Sequence, residues 1–148
     1  MRRNYRTIIK VVFAILGALA GICACFLFAK KYHNVHAAVW AGVSAVFALF
    51  FLHIVFSVLR DIQRKIPPSR FIIYKVVGAI GTIMGLSVFI AYLVIGATKK
   101  ESVDPYGSYV VVVWGFMTFK WSLFSMLSAR SYYKKYTLAD ENQVIVNS

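Results

Sequence analysis

Four long apolar stretches alternate with short polar segments along this chain of 148 residues. A bilayer core is about 30 Å thick, and a helix needs roughly 20 apolar residues to cross it. The apolar stretches run over about Thr7–Ala29, His36–Leu59, Phe71–Thr98 and Ser108–Ala129. The pattern therefore predicts an all-α polytopic membrane protein, built as a bundle of four transmembrane helices.

The segments between the apolar stretches are short, and one of them contains two helix-breaking prolines. The three segments are Lys30–Val35, Arg60–Arg70 and Lys99–Gly107. Pro67 and Pro68 lie in the middle one, and proline interrupts the hydrogen bonding of a helix interior. We predict one transmembrane domain over residues 1–139 and a flexible cytosolic tail over residues 140–148.

Composition and charge agree with a membrane protein. The chain is 60% apolar, has a mean hydropathy of +0.70, and carries 17 Lys and Arg against 5 Asp and Glu. Most of these cations flank the apolar stretches, where anionic lipid headgroups attract them, and no nucleic-acid recognition motif is present. Lys and Arg of the N-terminal segment, middle link and tail outnumber those of the other links, which predicts cytosolic termini.

Small residues recur at helical spacing in the first and third stretches. Gly17 and Gly21 form one such pair, and Gly81 and Gly85 form another. This spacing lets helix backbones approach closely, either within the four-helix bundle or across the seam of a homo-oligomer. The two cysteines, Cys23 and Cys25, face different directions on a helix and are expected to be packing residues.

A lysine inside the fourth stretch needs an explanation. Lys120 lies ten residues before Arg130, which is about 15 Å from the cytosolic end of its helix. Its side chain reaches only about 6 Å towards water, and a charge at the bilayer centre costs roughly 2.5–3.5 kcal/mol. Carbonyls and hydroxyls of the protein could satisfy it, or it could bind an anionic ligand group. The four stretches contain no Asp or Glu, which favours a ligand.

A histidine lies at a similar depth in the second stretch, among aromatic residues. His53 precedes Arg60 by seven residues, which is about 10 Å, so its depth and that of Lys120 agree within about 5 Å. A neutral imidazole can bind a metal or heme iron, although a hydrogen-bonded core histidine is the alternative. The aromatic neighbours considered as site residues are Phe50, Phe116, Phe119 and Trp121. Such a set suits a flat, apolar macrocycle with acid groups.

Three segments of the chain resemble the heme-responsive-gene heme transporters of the solute-carrier superfamily. The strongest is FMTFKWSL at Phe116–Leu123, which extends upstream through DPYGSYVVVVWGF at Asp104–Phe116. SARSY at Ser128–Tyr132 and AGVSAVFALFFLH, which ends at His53, also resemble family segments. The resemblance implies a four-helix transporter that moves heme towards the cytosol and makes or breaks no bond, and is therefore not an enzyme.

The resemblance also implies roles for particular residues. His53 would bind the heme iron, and Lys120 would pair with a heme propionate. Arg130 and Tyr132 would assist release on the cytosolic side. Candidates for capturing heme on the outer side are His33, His36, Tyr106 and Tyr109, although solvated loop residues and membrane-interface tyrosines are the alternatives for these four.

The chain departs from the family pattern in two places. Lys99 and Lys100 stand in the second outward loop, where the family often has a histidine. Ser128 and Ser131 replace an aromatic and a basic residue of the tail motif.

Two other function classes stay open, a non-transporting four-span scaffold and a small organic-cation exporter. The expected location is the plasma membrane or the membrane of an endosome or lysosome.

Overall fold

Four long helices make up the part of the chain that the computed structural model describes, residues 2–59 and 67–146. The helices are α1 (Arg2–Lys30), α2 (Val35–Leu59), α3 (Pro68–Thr98) and α4 (Ser108–Val146). Each is long and apolar enough to cross a membrane. The predicted all-α architecture with four membrane-spanning helices is therefore confirmed. Most of the middle link, including Arg60, Arg64 and Lys65, lies outside the described residues.

The last helix is longer than the apolar pattern predicted. Helix α4 does not end near Ala129 but continues to Val146. Its added part is polar and contains several good helix formers, among them lysine, leucine and alanine. The helix thus includes most of residues 140–148, whose flexibility stays a prediction.

The two links at one end of the bundle are joined through Asn34. Its side-chain oxygen accepts a hydrogen bond from the Ala37 backbone N–H at 3.1 Å, which caps the start of α2. Its side-chain nitrogen lies 3.4 Å from the carbonyl oxygens of Pro105 and Gly107 in the α3–α4 link. One residue therefore both starts a helix and holds the two links together.

A carboxylate organises the start of α4 in the same region. The Ser108 backbone N–H donates a hydrogen bond of 2.6 Å to a carboxylate oxygen of Glu101. This bond stabilises the charged carboxylate, and so the pKa of Glu101 lies below its usual value. Just before it, Lys100 adopts a positive φ of 51° where the chain leaves α3.

The helices form two antiparallel hairpins that meet along α2 and α4. Helix α1 packs against α2, α3 packs against α4, and α2 packs against α4. Glycine makes the contacts within each hairpin close. A Cβ at Gly21 would lie 2.9 Å from the Ala41 carbonyl oxygen. A Cβ at Gly85 would lie 3.1 Å from the Gly115 carbonyl oxygen and overlap the backbone of Phe119.

The hairpins are related by an approximate two-fold axis that runs along the helices. The Trp121 ring of α4 lies against Gly17 of α1, and in the same way the Phe47 ring of α2 lies against Gly81 of α3. In these ring contacts and in the backbone contacts above, the α1 glycines at positions 17 and 21 correspond to the α3 glycines at positions 81 and 85, which are 64 positions later. The α2 residues in these contacts likewise correspond to α4 residues 74 positions later, for example Phe47 to Trp121. The contacts between α1 and α4 thus correspond to those between α3 and α2.

These contacts decide between the two roles considered for the glycines. Gly21, Gly81 and Gly85 are buried, and Gly17 is covered by Trp121. All four are therefore used for packing inside the chain, which is one of the two alternatives. A homo-oligomer stays a prediction, but the surface through which we expected it to form is occupied by the chain itself.

Candidate functional site

A groove of about 940 Å³ opens between the first half of α1 and the middle of α4. On α4, the lining residues recur every three or four positions, which places them on one face of the helix. Phe51 of α2 closes the groove from behind, with its ring 5.9 Å from that of Trp121 and 6.1 Å from that of Phe124. The other lining residues are Arg6, Thr7, Ile9, Lys10, Phe13, Lys120, Leu127, Ser128, Ser131, Tyr132 and Lys135.

The groove is positively charged and has aromatic walls. Lys120 is half-buried, and its ammonium nitrogen lies 4.7 Å from the centre of the Trp121 ring, within the range of a cation–π interaction. Arg6, Lys10 and Lys135 also line the groove, and none of the lining residues is acidic. A half-buried ammonium group such as that of Lys120 attracts an anion strongly, because water does not screen it fully. The other three cations are exposed and add positive charge around it. The groove is therefore suited to an apolar ligand that carries anionic groups.

The structure places His53 on a different side of α2. Its side chain is exposed, and its Nε2 atom lies 3.4 Å from the Tyr74 hydroxyl oxygen of α3. Phe51, which faces Trp121, is two residues earlier, and two positions on a helix point about 160° apart. His53 and Lys120 thus lie at a similar level along the bundle, as predicted. The expectation that they line the same hollow is wrong, because His53 faces α3.

The remaining aromatic candidates also lie outside the groove. Phe50 makes an edge contact with Tyr74, with ring centres 5.4 Å apart. Phe116 and Phe119 lie together, and the Phe116 ring is 5.9 Å from that of Phe89 on α3. Of the six residues predicted to bind heme, only Lys120 and Trp121 line the groove.

The four candidates for heme capture have different surroundings. His36 bonds through Nδ1 to the Tyr92 hydroxyl at 3.0 Å, whereas His33 is exposed with a φ of 48°. Tyr106 is exposed, and Tyr109 packs over Gly96. Over residues 2–59 and 67–146, no three His, Cys, Asp or Glu side chains are grouped as a metal site.

The cytosolic-side candidates are divided between the groove and the surface. Tyr132 lines the groove, and Arg130 is exposed and does not. Sequence reasoning missed the contribution of α1, although Arg6 and Lys10 are four residues apart and thus share a helix face. The predicted site residues also left out Phe124 and Lys135, although both continue the face of Lys120 at spacings of three and four.

The fold and the groove together define a four-span integral membrane protein with a cationic, aromatic binding groove. Comparison with known proteins points to one family of this kind. The family model "Haem-transporter, endosomal/lysosomal, haem-responsive gene" matches residues 72–121, which include most of α3 and the part of α4 that carries Lys120. The predicted resemblance to this family is confirmed.

A curated relative extends the match over most of the chain. The chain is 27% identical over 129 residues to "Heme transporter hrg-1" of Caenorhabditis elegans. The match covers 84% of this chain and 66% of the worm protein's length. No solved structure matches the chain.

Proposed function

We propose that this protein is a transmembrane heme transporter, with heme as its cargo and not as a resident cofactor. The observation that carries the proposal is the α1–α4 groove, in which cations and aromatic rings face one space without an acidic residue. The family match and the similarity to a worm heme transporter support the same cargo. Heme moves towards the cytosol, from outside the cell or from an endosomal or lysosomal lumen.

The groove would hold heme through two kinds of contact. Lys120 pairs with one propionate, while Trp121 and Phe124 contact the apolar porphyrin ring. Arg6, Lys10 and Lys135 offer further positive charge for the second propionate. A hydrogen bond to a charged group contributes about 1.5–3 kcal/mol, so loss of the Lys120 contact lowers heme affinity roughly 10- to 100-fold.

The other residues act before and after this contact in the proposed route. His53 binds the heme iron on the α2–α3 side of the bundle. His33, His36, Tyr106 and Tyr109 serve as candidates for capture at the far end. Tyr132, together with Arg130, assists release from the groove on the side predicted to be cytosolic.

The test is growth of heme-requiring cells at limiting heme, with the protein supplied at a measured surface level. Lys120→Ala is expected to abolish rescue, and Lys120→Arg to restore part of it by keeping the charge. Lys75→Ala is the matched control, because Lys75 is an exposed lysine of α3 that does not line the groove. Full rescue by Lys120→Ala would contradict the proposed role of the groove.

A second measurement separates transport from the other function classes. A scaffold and an organic-cation exporter both predict that the purified protein binds no heme. Titration with ferric heme should instead give a saturable Soret band. Uptake of heme into vesicles that contain the purified protein then separates transport from storage, since a storage protein stops at stoichiometric binding.

A further inference from the structure

The cleft between α2 and α3 is the two-fold counterpart of the α1–α4 groove. The position shifts of 64 and 74 that relate the glycine contacts also map the groove residues onto this cleft. The counterparts are Arg70 for Arg6, Tyr74 for Lys10, Phe50 for Phe124 and His53 for Leu127. Each cleft therefore has an arginine near the same end, and an aromatic ring on the helix opposite that arginine, α4 in one cleft and α2 in the other.

The chemistry at the centre of the two clefts is different. The groove presents ammonium groups, whereas the α2–α3 cleft presents the imidazole of His53 and the phenol of Tyr74, 3.4 Å apart. Histidine nitrogen and tyrosine oxygen are both ligands of heme iron in proteins. One cleft is thus suited to the acid groups of a metalloporphyrin and the other to its metal.

The His53–Tyr74 pair is held in place but loosely bonded. The Tyr74 ring makes edge contacts with Phe50 and Phe71, at centre distances of 5.4 and 6.1 Å. The distance of 3.4 Å to His53 is longer than a usual hydrogen bond, so little is lost when the pair separates. The His53 side chain is also exposed, so its ring can be reached from outside the bundle.

We propose that Tyr74 and His53 form an iron-binding site of their own, separate from the Lys120 groove. This inference rests on heme being the cargo. Ligand bonds of about 2 Å on each side of a metal place the two ligand atoms roughly 4 Å apart. His53 Nε2 and the Tyr74 oxygen are now 3.4 Å apart, so the two side chains must swing apart for the porphyrin plane that carries the iron to enter between them. The phenol proton passes to the hydroxide that ferric heme carries as its own ligand, which leaves as water, and the iron stays ferric.

Two porphyrin probes distinguish the clefts, because metal-free protoporphyrin has the propionates of heme but no iron. Tyr74→Phe keeps the ring that contacts Phe50 and Phe71, so the fold is preserved. Tyr74→Phe and His53→Ala are each expected to change the visible spectrum of bound ferric heme and to lower its affinity about tenfold or more. Both variants should bind metal-free protoporphyrin as the unchanged protein does.

Two controls complete the experiment. Lys120→Ala is expected to weaken both porphyrins and to leave the spectrum of bound heme unchanged. Tyr5→Phe removes the hydroxyl of an exposed tyrosine on α1. It should change neither the affinity for the two porphyrins nor the spectrum of bound heme. Identical heme spectra for the unchanged protein, Tyr74→Phe and His53→Ala would overturn the iron site and leave the proposed function standing. If the unchanged protein binds no heme, both proposals are wrong.

Discussion

The indole ring of Trp121 occupies the space that a Cβ atom would need at Gly17. The two residues belong to α4 and α1, and Trp121 is also the residue over whose ring the Lys120 ammonium lies. Only glycine at position 17 lets the helix backbone come this close to the ring. The aromatic wall of the groove thus depends on the absence of a side chain on a neighbouring helix.

Gly17→Ala should therefore weaken both folding and heme binding. The added methyl group overlaps the Trp121 ring, and forcing extra volume into a packed contact costs about 1–3 kcal/mol. Thermal unfolding in detergent and heme titration measure the two effects. Gly42→Ala is the control, since its Cβ would meet its nearest neighbour, Cys25 Sγ, at an ordinary 3.5 Å. Equal stability of the two variants would contradict this account.

Esterified heme tests whether Lys120 recognises a propionate. Heme dimethyl ester keeps the iron and the ring but has no anionic groups. We expect it to bind the unchanged protein roughly 10- to 100-fold more weakly than heme, because the charged hydrogen bond is lost. Lys120→Ala should weaken heme binding by a similar factor and leave ester binding nearly unchanged. An equal loss for both ligands would instead indicate that Lys120 acts through packing.

The Glu101 contact predicts how the α3–α4 link responds to acid. The pKa of Glu101 is lower in the folded protein than its usual value of 4.5, because the charged carboxylate accepts the Ser108 N–H. Its contribution to stability is complete above pH 4.5 and is lost as the pH falls through the lower folded-state pKa. Hydrogen exchange of the link over residues 99–107 should rise over this range, relative to the link over residues 30–35.

Glu101→Gln separates this bond from other effects of acid. The amide can still accept a hydrogen bond from Ser108, but it carries no charge and does not titrate. The backbone amides of the link over residues 99–107 should therefore exchange faster at neutral pH in this variant. Their exchange should not show the additional increase in acid that the unchanged protein shows. A rise of the same size in this variant would assign the acid response to another group.

Resemblance and helix periodicity predicted only part of the candidate site. Lys120 stood out because a charge inside an apolar stretch is costly and no acidic residue in the stretches could pair with it. Phe124, Ser128, Ser131 and Lys135 follow it at helical spacing, so the α4 face of the groove was readable before the structure. The α1 face of the groove could not be predicted, because no sequence feature near Arg6 and Lys10 indicates which helix lies opposite them.

The sequence by itself determined that the chain crosses a membrane four times, because an apolar run must match the thickness of the lipid core. The rise per residue of a helix also predicts from the sequence that Lys120 and His53 lie at similar levels along the bundle. Only the tertiary structure decided which way these side chains face. Rotation of a helix about its axis is fixed by contacts between distant positions, here Gly17 with Trp121 and Gly81 with Phe47. As a result, Lys120 lines the α1–α4 groove and His53 faces Tyr74 of α3.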